Sequence, residues 1–152
     1  MNFLACDLGG TKVLLGIFEK EMNNNSPKLI IKKKYLSSDW SSFELILEDF
    51  LKKECKNINH PSSACFAVAG PLSNNNAKII NLSWNISGNK LKNKFKFEQC
   101  ELINDFAVQI YGIPFLKKVN IQLSRMDHIL KEQIMICMPL LELELAWALQ
   151  EE

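Results

Sequence analysis

Phe3-Leu4-Ala5-Cys6-Asp7-Leu8-Gly9-Gly10-Thr11-Lys12-Val13-Leu14-Leu15-Gly16-Ile17-Phe18 sets two apolar runs on either side of a glycine pair. Gly-Gly between strand-like runs predicts a tight hairpin, because primed turns need positive φ at the turn positions. Glu21–Pro27, with Asn23-Asn24-Asn25, reads as a polar loop. Lys28–Leu36, rich in Ile and Lys, follows as a third strand, so the chain is expected to open with a three-stranded meander.

Beyond the meander the period changes. Ser41-Ser42-Phe43-Glu44 has the form of a capping box, in which Ser and Glu satisfy free amide donors reciprocally. Phe43, Ile46, Leu47, Phe50 and Leu51 recur at helical spacing, and Lys52 and Lys53 lie where cations complement a helix dipole. After His60-Pro61, the apolar run Ala64–Ala69 predicts a buried strand that delivers the loop Gly70-Pro71. Lys78–Leu82 reads as a short strand, followed by Trp84 in a loop, and Leu91–Phe97 as a short helix. Glu101-Leu102-Ile103 reads as a strand, Asn104-Asp105 opens a helix towards Ile113, and Ile134–Cys137 begins another strand. Strands alternating with helices after a meander imply an α/β sheet covered by helices.

Composition narrows the class. The chain has 152 residues, 47% of them hydrophobic and 23% charged, as in ordinary globular domains. Eighteen basic residues against seventeen acidic leave a formal net charge of +1. Lys32-Lys33-Lys34 and Lys90–Lys96 are short and interrupted by apolar residues, so they read as solvated faces and no nucleic-acid partner is expected. The longest apolar run, Ile134–Leu141, is too short for a membrane span and contains Pro139. The five cysteines show no metal-ligand spacing, and their odd number argues against a disulfide framework. A soluble, cytoplasmic protein is expected. His60 and His128 stand alone and carry no assigned role.

The sharpest motif is Asp7-Leu8-Gly9-Gly10-Thr11-Lys12. Glycines in a turn let backbone amides converge on an anion, and such concavities bind phosphate. Thr11 adds a hydroxyl, Lys12 a point charge, and Asp7 a carboxylate suited to Mg²⁺. An ordinary hairpin with an incidental Asp fits the same residues. Asn104-Asp105-Phe106 places a carboxylate just after a strand, where open α/β sheets bind ligands. Asp105 could take a proton from a reacting hydroxyl, and Asn104 could hold neighbouring hydroxyls. Taken alone, these two residues are explained more readily by simple capping of the helix. Asn81-Leu82-Ser83-Trp84 offers an amide and an aromatic that would either border a sugar pocket or plug the core edge. Gly70-Pro71 is chiefly a turn signal.

Taken in order, Asp-Leu-Gly-Gly-Thr, Ala-Gly-Pro, Asn-x-x-Trp and Ile-Asn-Asp-Phe resemble the bacterial glucokinase family over residues 3 to about 137. That family lies in the sugar-kinase, heat-shock-protein and actin superfamily. The resemblance implies an α/β, ribonuclease-H-like (actin-like ATPase) domain, with a mixed sheet, an N-terminal meander and flanking helices. It implies transfer of the ATP γ-phosphoryl group to the 6-hydroxyl of glucose, with ATP and Mg²⁺ as cofactors. On this reading Gly9, Gly10, Thr11 and Lys12 hold ATP phosphates, and Asp7 serves Mg²⁺, directly or through water. Asn104, Asn81 and Gly70 border the sugar, and Asp105 is the base. A homodimer is an open expectation for full-length members. Two substitutions depart from the commoner pattern: Lys12 stands where many glucokinases have Asn, and Ile80 replaces a frequent Thr. A kinase of another hexose or amino sugar, or a sugar-binding module without catalysis, remains open.

The resemblance implies a division into residues 1–137, an N-terminal glucokinase lobe, and an aberrant tail over residues 138–152. Family members continue with a Gly-x-Gly-Thr-Gly loop and a later Glu-Gly-Gly-His-like segment, neither of which occurs in this sequence. The tail runs Met-Pro-Leu-Leu-Glu-Leu-Glu-Leu-Ala-Trp-Ala-Leu-Gln-Glu-Glu, and its Leu-Glu codon pairs can encode glycine out of frame. A frameshift near residues 137–140 is therefore expected, and with it weak or no activity for this chain alone. A short amphipathic C-terminal segment is the alternative.

Overall fold

The computed structural model describes residues 1–20 and 27–112, the last four as backbone alone. Most of the predicted polar loop, the predicted strand at Ile134–Cys137, His128 and the tail lie outside the described residues. Strands β1 (Asn2–Leu8) and β2 (Lys12–Glu19) pair antiparallel from Asn2↔Glu19 to Leu8↔Val13, and β3 (Lys28–Leu36) pairs antiparallel with β2. Helix α1 (Phe43–Lys53) leads to β4 (Ser63–Val68), which lies parallel beside β1. Three short strands, β5 (Leu72–Ser73), β6 (Asn76–Ile79) and β7 (Trp84–Ser87), form a separate antiparallel sheet. Helix α2 (Gly88–Phe95), strand β8 (Gln99–Asn104) and helix α3 (Asp105–Gly112) follow, with β8 parallel to β4. The main sheet has the order β3-β2-β1-β4-β8. A meander continued by parallel strands with intervening helices is the ribonuclease-H-like arrangement.

Side chains alternate across this sheet with period two. Leu4, Cys6 and Leu8 of β1 and Phe66 of β4 face the layer that contains α1, whose Phe43, Ile46, Leu47 and Phe50 are all fully buried. The Phe43 and Phe66 rings meet edge to face at 5.3 Å. Each such buried side chain contributes roughly 1.5–3 kcal/mol, which docks the helix and fixes the sheet beneath it. On the other face Ala5, Leu14, Phe18, Cys65 and Ala67 cluster with Val108 of α3. Both faces are covered, which is why β1 and β4 read as unbroken apolar runs.

Four details differ from the sequence expectation. Ser42, not Ser41, caps α1, and its side chain makes no capping bond. The third helical residue is then Leu45, which cannot reach back as Glu would, and burial of Phe43 anchors the start instead. The strand foreseen at Lys78–Leu82 stops at Ile79, and Ile80–Leu82 turns as a 3-10 helix that ends at Ser83 with φ +54°. Trp84 lies not in a loop but at the head of β7, buried in the core. The glycine pair does not form a primed turn, because neither Gly9 nor Gly10 has positive φ. Strand pairing ends at Leu8↔Val13, so four residues share the reversal, with the Gly9 N–H donating to the Lys12 carbonyl at 3.0 Å. The primed geometry occurs instead at Asn74-Asn75, with φ +50° and +58°, between the paired residues Ser73 and Asn76.

Candidate active site

Parallel pairing sets three strand ends level. Leu8 pairs with Val68, and Val68 with Asn104. The Gly9–Lys12 turn leaves this row from β1, Gly70 follows β4, and Asp105 follows β8. Every segment singled out for phosphate, sugar or proton chemistry along the main sheet thus emerges at one edge, the carboxyl ends of the parallel strands. Open α/β sheets bind ligands there.

Asp7 lies one residue inside the row, half-buried, level with Ala67 and Ile103. Burial raises its carboxyl pKa above the ordinary value; the Lys12 ammonium lowers it, and the Asp105 carboxylate raises it further. The Asp7 carboxyl therefore senses the charges of both Lys12 and Asp105. Two carboxylates and one ammonium suit a hard cation shared with phosphate oxygens. Among the described residues, no group of three or more His, Cys, Asp or Glu could hold a metal by itself.

Asn104 caps α3 and also bridges two loops. Its Oδ1 accepts the Phe106 N–H at 3.1 Å, and its Nδ2 donates to the Gly70 carbonyl at 3.2 Å. Gly70 itself has φ +153°, a conformation that a side chain would strain. The Asp105 Oδ1 accepts the Phe106 N–H at 3.0 Å, while its Oδ2 accepts no hydrogen bond among the described residues. The capping reading thus holds for Asn104, yet among the described residues one of its amide hydrogens and the second Asp105 oxygen have no partner. Exposed Asn81 reaches the turn from the small sheet: a Cβ built on Gly10 would lie 3.7 Å from its Nδ2. Trp84 takes the core-plugging role.

Sequence reasoning missed two residues that hold this edge together. Ser37, in the 3-10 turn Ser37–Asp39 after β3, donates from its backbone N–H to the Thr11 carbonyl at 2.9 Å. Its Oγ donates to the Gly9 carbonyl at 3.1 Å. Asn75 supports β8: its Nδ2 donates to the Cys100 carbonyl at 2.9 Å and its Oδ1 accepts the Leu102 N–H at 2.8 Å. A serine beside a strand end gives no sequence signal, whereas Asn74-Asn75 carries a turn signal that could have been used.

The family model described as Glucokinase matches residues 4–139. The chain is similar to the glucokinase of Trichormus variabilis, 40% identical over 119 residues, which covers 78% of this chain and 34% of that protein. It thus spans about a third of that relative's length. The solved glucokinase of an Antarctic psychrotroph is similar at a TM-score of 0.69 and 29% identity, covering 84% of this chain and 40% of that one. A ROK-family glucokinase from Streptomyces griseus, solved with glucose and AMPPNP, shares the fold at a TM-score of 0.53 and 16% identity, over 74% of this chain and 38% of its own.

Proposed function

The chain belongs to the glucokinase family, and from that premise we propose that it forms the lobe that supplies the base and the phosphate turn for transfer of the ATP γ-phosphoryl group to the 6-hydroxyl of glucose. One observation carries this reading: the register row Leu8–Val68–Asn104 brings the Gly9–Lys12 turn, Gly70 and Asp105 to a single edge. Asp105 accepts the proton of the sugar hydroxyl as the oxygen attacks the γ-phosphorus and ADP departs. Asn104 donates its remaining amide hydrogen to a neighbouring sugar hydroxyl, with Asn81 and Gly70 at the rim. The amides of Gly10 and Thr11, without a partner among the described residues, the Thr11 hydroxyl and the Lys12 ammonium receive phosphate oxygens. Mg²⁺ would be held by Asp7, directly or through water, and would neutralise phosphate charge; the half-buried Asp7 carboxyl, which feels the Asp105 charge, fits that role because a cation relieves both its desolvation and the repulsion.

The test grafts residues 4–139 in place of the matching stretch of the Trichormus variabilis glucokinase and follows ATP-dependent glucose 6-phosphate formation. The graft is expected to turn over, with glucose preferred in a panel of hexoses and amino sugars. Asp105→Asn in the graft is expected to lower kcat by about 10²–10⁴-fold with little change in the glucose KM. A loss of less than threefold would remove Asp105 from the base role.

A further inference from the structure

Ser37 is the one polar side chain counted as fully buried among the described residues. Burying a hydroxyl is unfavourable unless its hydrogen bond is made, and both donors of this residue go to the same turn, on the carbonyls of Gly9 and Thr11. The Gly9 N–H is itself spent on the Lys12 carbonyl. This leaves the turn sorted by polarity. The carbonyls of Gly9 and Thr11 are drawn towards the protein, and the amides of Gly10 and Thr11 have no partner among the described residues. A carbonyl turned outwards would repel a phosphate oxygen, and the Gly9 carbonyl and Gly10 amide are opposite poles of one trans peptide group, so the serine decides which of the two a ligand meets.

We propose that Ser37 is a positioning residue for anion binding: by fixing the Gly9 carbonyl from behind, it holds the Gly10 amide of the same peptide group towards the phosphate chain of a nucleotide, and its bond to the Thr11 carbonyl keeps the rest of the turn in place. This rests on the reading of Gly9–Lys12 as a phosphate turn. Ser37 touches no phosphate and acts through the turn alone. Its neighbour Ser38 is exposed and donates to Asp39 at 3.1 Å, so it is outside the arrangement.

The experiment titrates sodium pyrophosphate into the ¹⁵N-labelled 152-residue chain and follows the Gly10 and Thr11 amide resonances. Both are expected to shift. In Ser37→Ala the half-saturating concentration should rise about five- to tenfold, the effect of losing one ordinary hydrogen bond. Ile46→Val, which lowers stability from within the core, should leave it unchanged, as should Ser38→Ala. Equal affinity in Ser37→Ala and the unsubstituted chain would overturn the proposal, and so would an equal loss in Ile46→Val. If Ser37→Ala does not fold, Ser37→Cys retains a side chain of similar size with a weak donor, and is expected to show the same weakening. Silence of both amides in the unsubstituted chain would instead remove the phosphate turn itself, a distinct failure.

Discussion

Replacing Gly88 by alanine should destabilise the protein, and the same replacement should become harmless once Asn75 is gone. Gly88 opens α2 and is buried against the Asn75 side chain; an added Cβ would lie 2.5 Å from its Oδ1 and 2.6 Å from its Cγ. That carboxamide cannot retreat without releasing the Cys100 carbonyl and the Leu102 N–H. Two hydrogen bonds at about 0.5–1.5 kcal/mol each set the loss at about 1–3 kcal/mol. Alanine for glycine in a helical conformation returns about 0.4–1 kcal/mol, leaving a net destabilisation centred on about 1.3 kcal/mol and at most about 2.6 kcal/mol. Asn75→Ala alone loses the same two bonds, about 1–3 kcal/mol. In the double variant there is nothing left to displace, so Gly88→Ala should there be neutral or stabilising by up to about 1 kcal/mol. Urea unfolding of the four proteins, followed by far-UV circular dichroism, closes the cycle. Additive losses would show that the Gly88 contact and the Asn75 bonds are independent, and would refute the reasoning.

Asp7→Asn should stabilise the fold at pH 7, because burial outweighs the attraction of Lys12 and holds the folded carboxyl above its ordinary pKa. A group raised on folding costs stability once pH exceeds its unfolded value of about 3.9. The advantage of the asparagine should therefore be full above the folded pKa, shrink as pH falls, and vanish below about pH 3.9; an advantage that grows on acidification would contradict this. Tyr35→Phe should cost about 0.5–1.5 kcal/mol by removing the hydroxyl that donates to Asp49 at 3.1 Å and ties β3 to α1. Unfolding midpoints of Tyr35→Phe in the presence and absence of Asp49→Asn would show whether the pair is coupled.

Much of the sheet was legible because it rests on local pattern. Residues 28–36 form the third strand as their Ile and Lys content suggests, and Phe43, Ile46, Leu47 and Phe50 form the buried face that their spacing describes. The runs before Gly70 and Asn104 become parallel strands that end level with each other. What was illegible depends on partners distant in sequence. Ser37 lies 28 residues from Gly9 and Asn75 lies 27 from Leu102, and neither bond leaves a periodic trace. The primed turn was assigned to Gly9-Gly10 because glycine tolerates positive φ most easily, yet Asn74-Asn75 adopts it. Asparagine tolerates that conformation too, and here its side chain is also needed on β8. The capping box failed for a smaller reason, a one-residue shift of the helix start.

The Asn75 carboxamide also bears on how the molecule keeps to itself in a crowded solution. Among the described residues β8 is the last strand of the sheet, and a bare terminal strand invites a foreign strand to continue the ladder, the first step towards fibrous assembly. By offering one donor and one acceptor to Cys100 and Leu102, this side chain imitates a single peptide group of a neighbouring strand. At the opposite margin of the described sheet, β3 carries Lys28, Lys32, Lys33 and Lys34, and lysines on an outer strand discourage the pairing of an incoming copy. One margin of the sheet is thus capped by mimicry and the other by charge, so stacking edge to edge is discouraged on both sides.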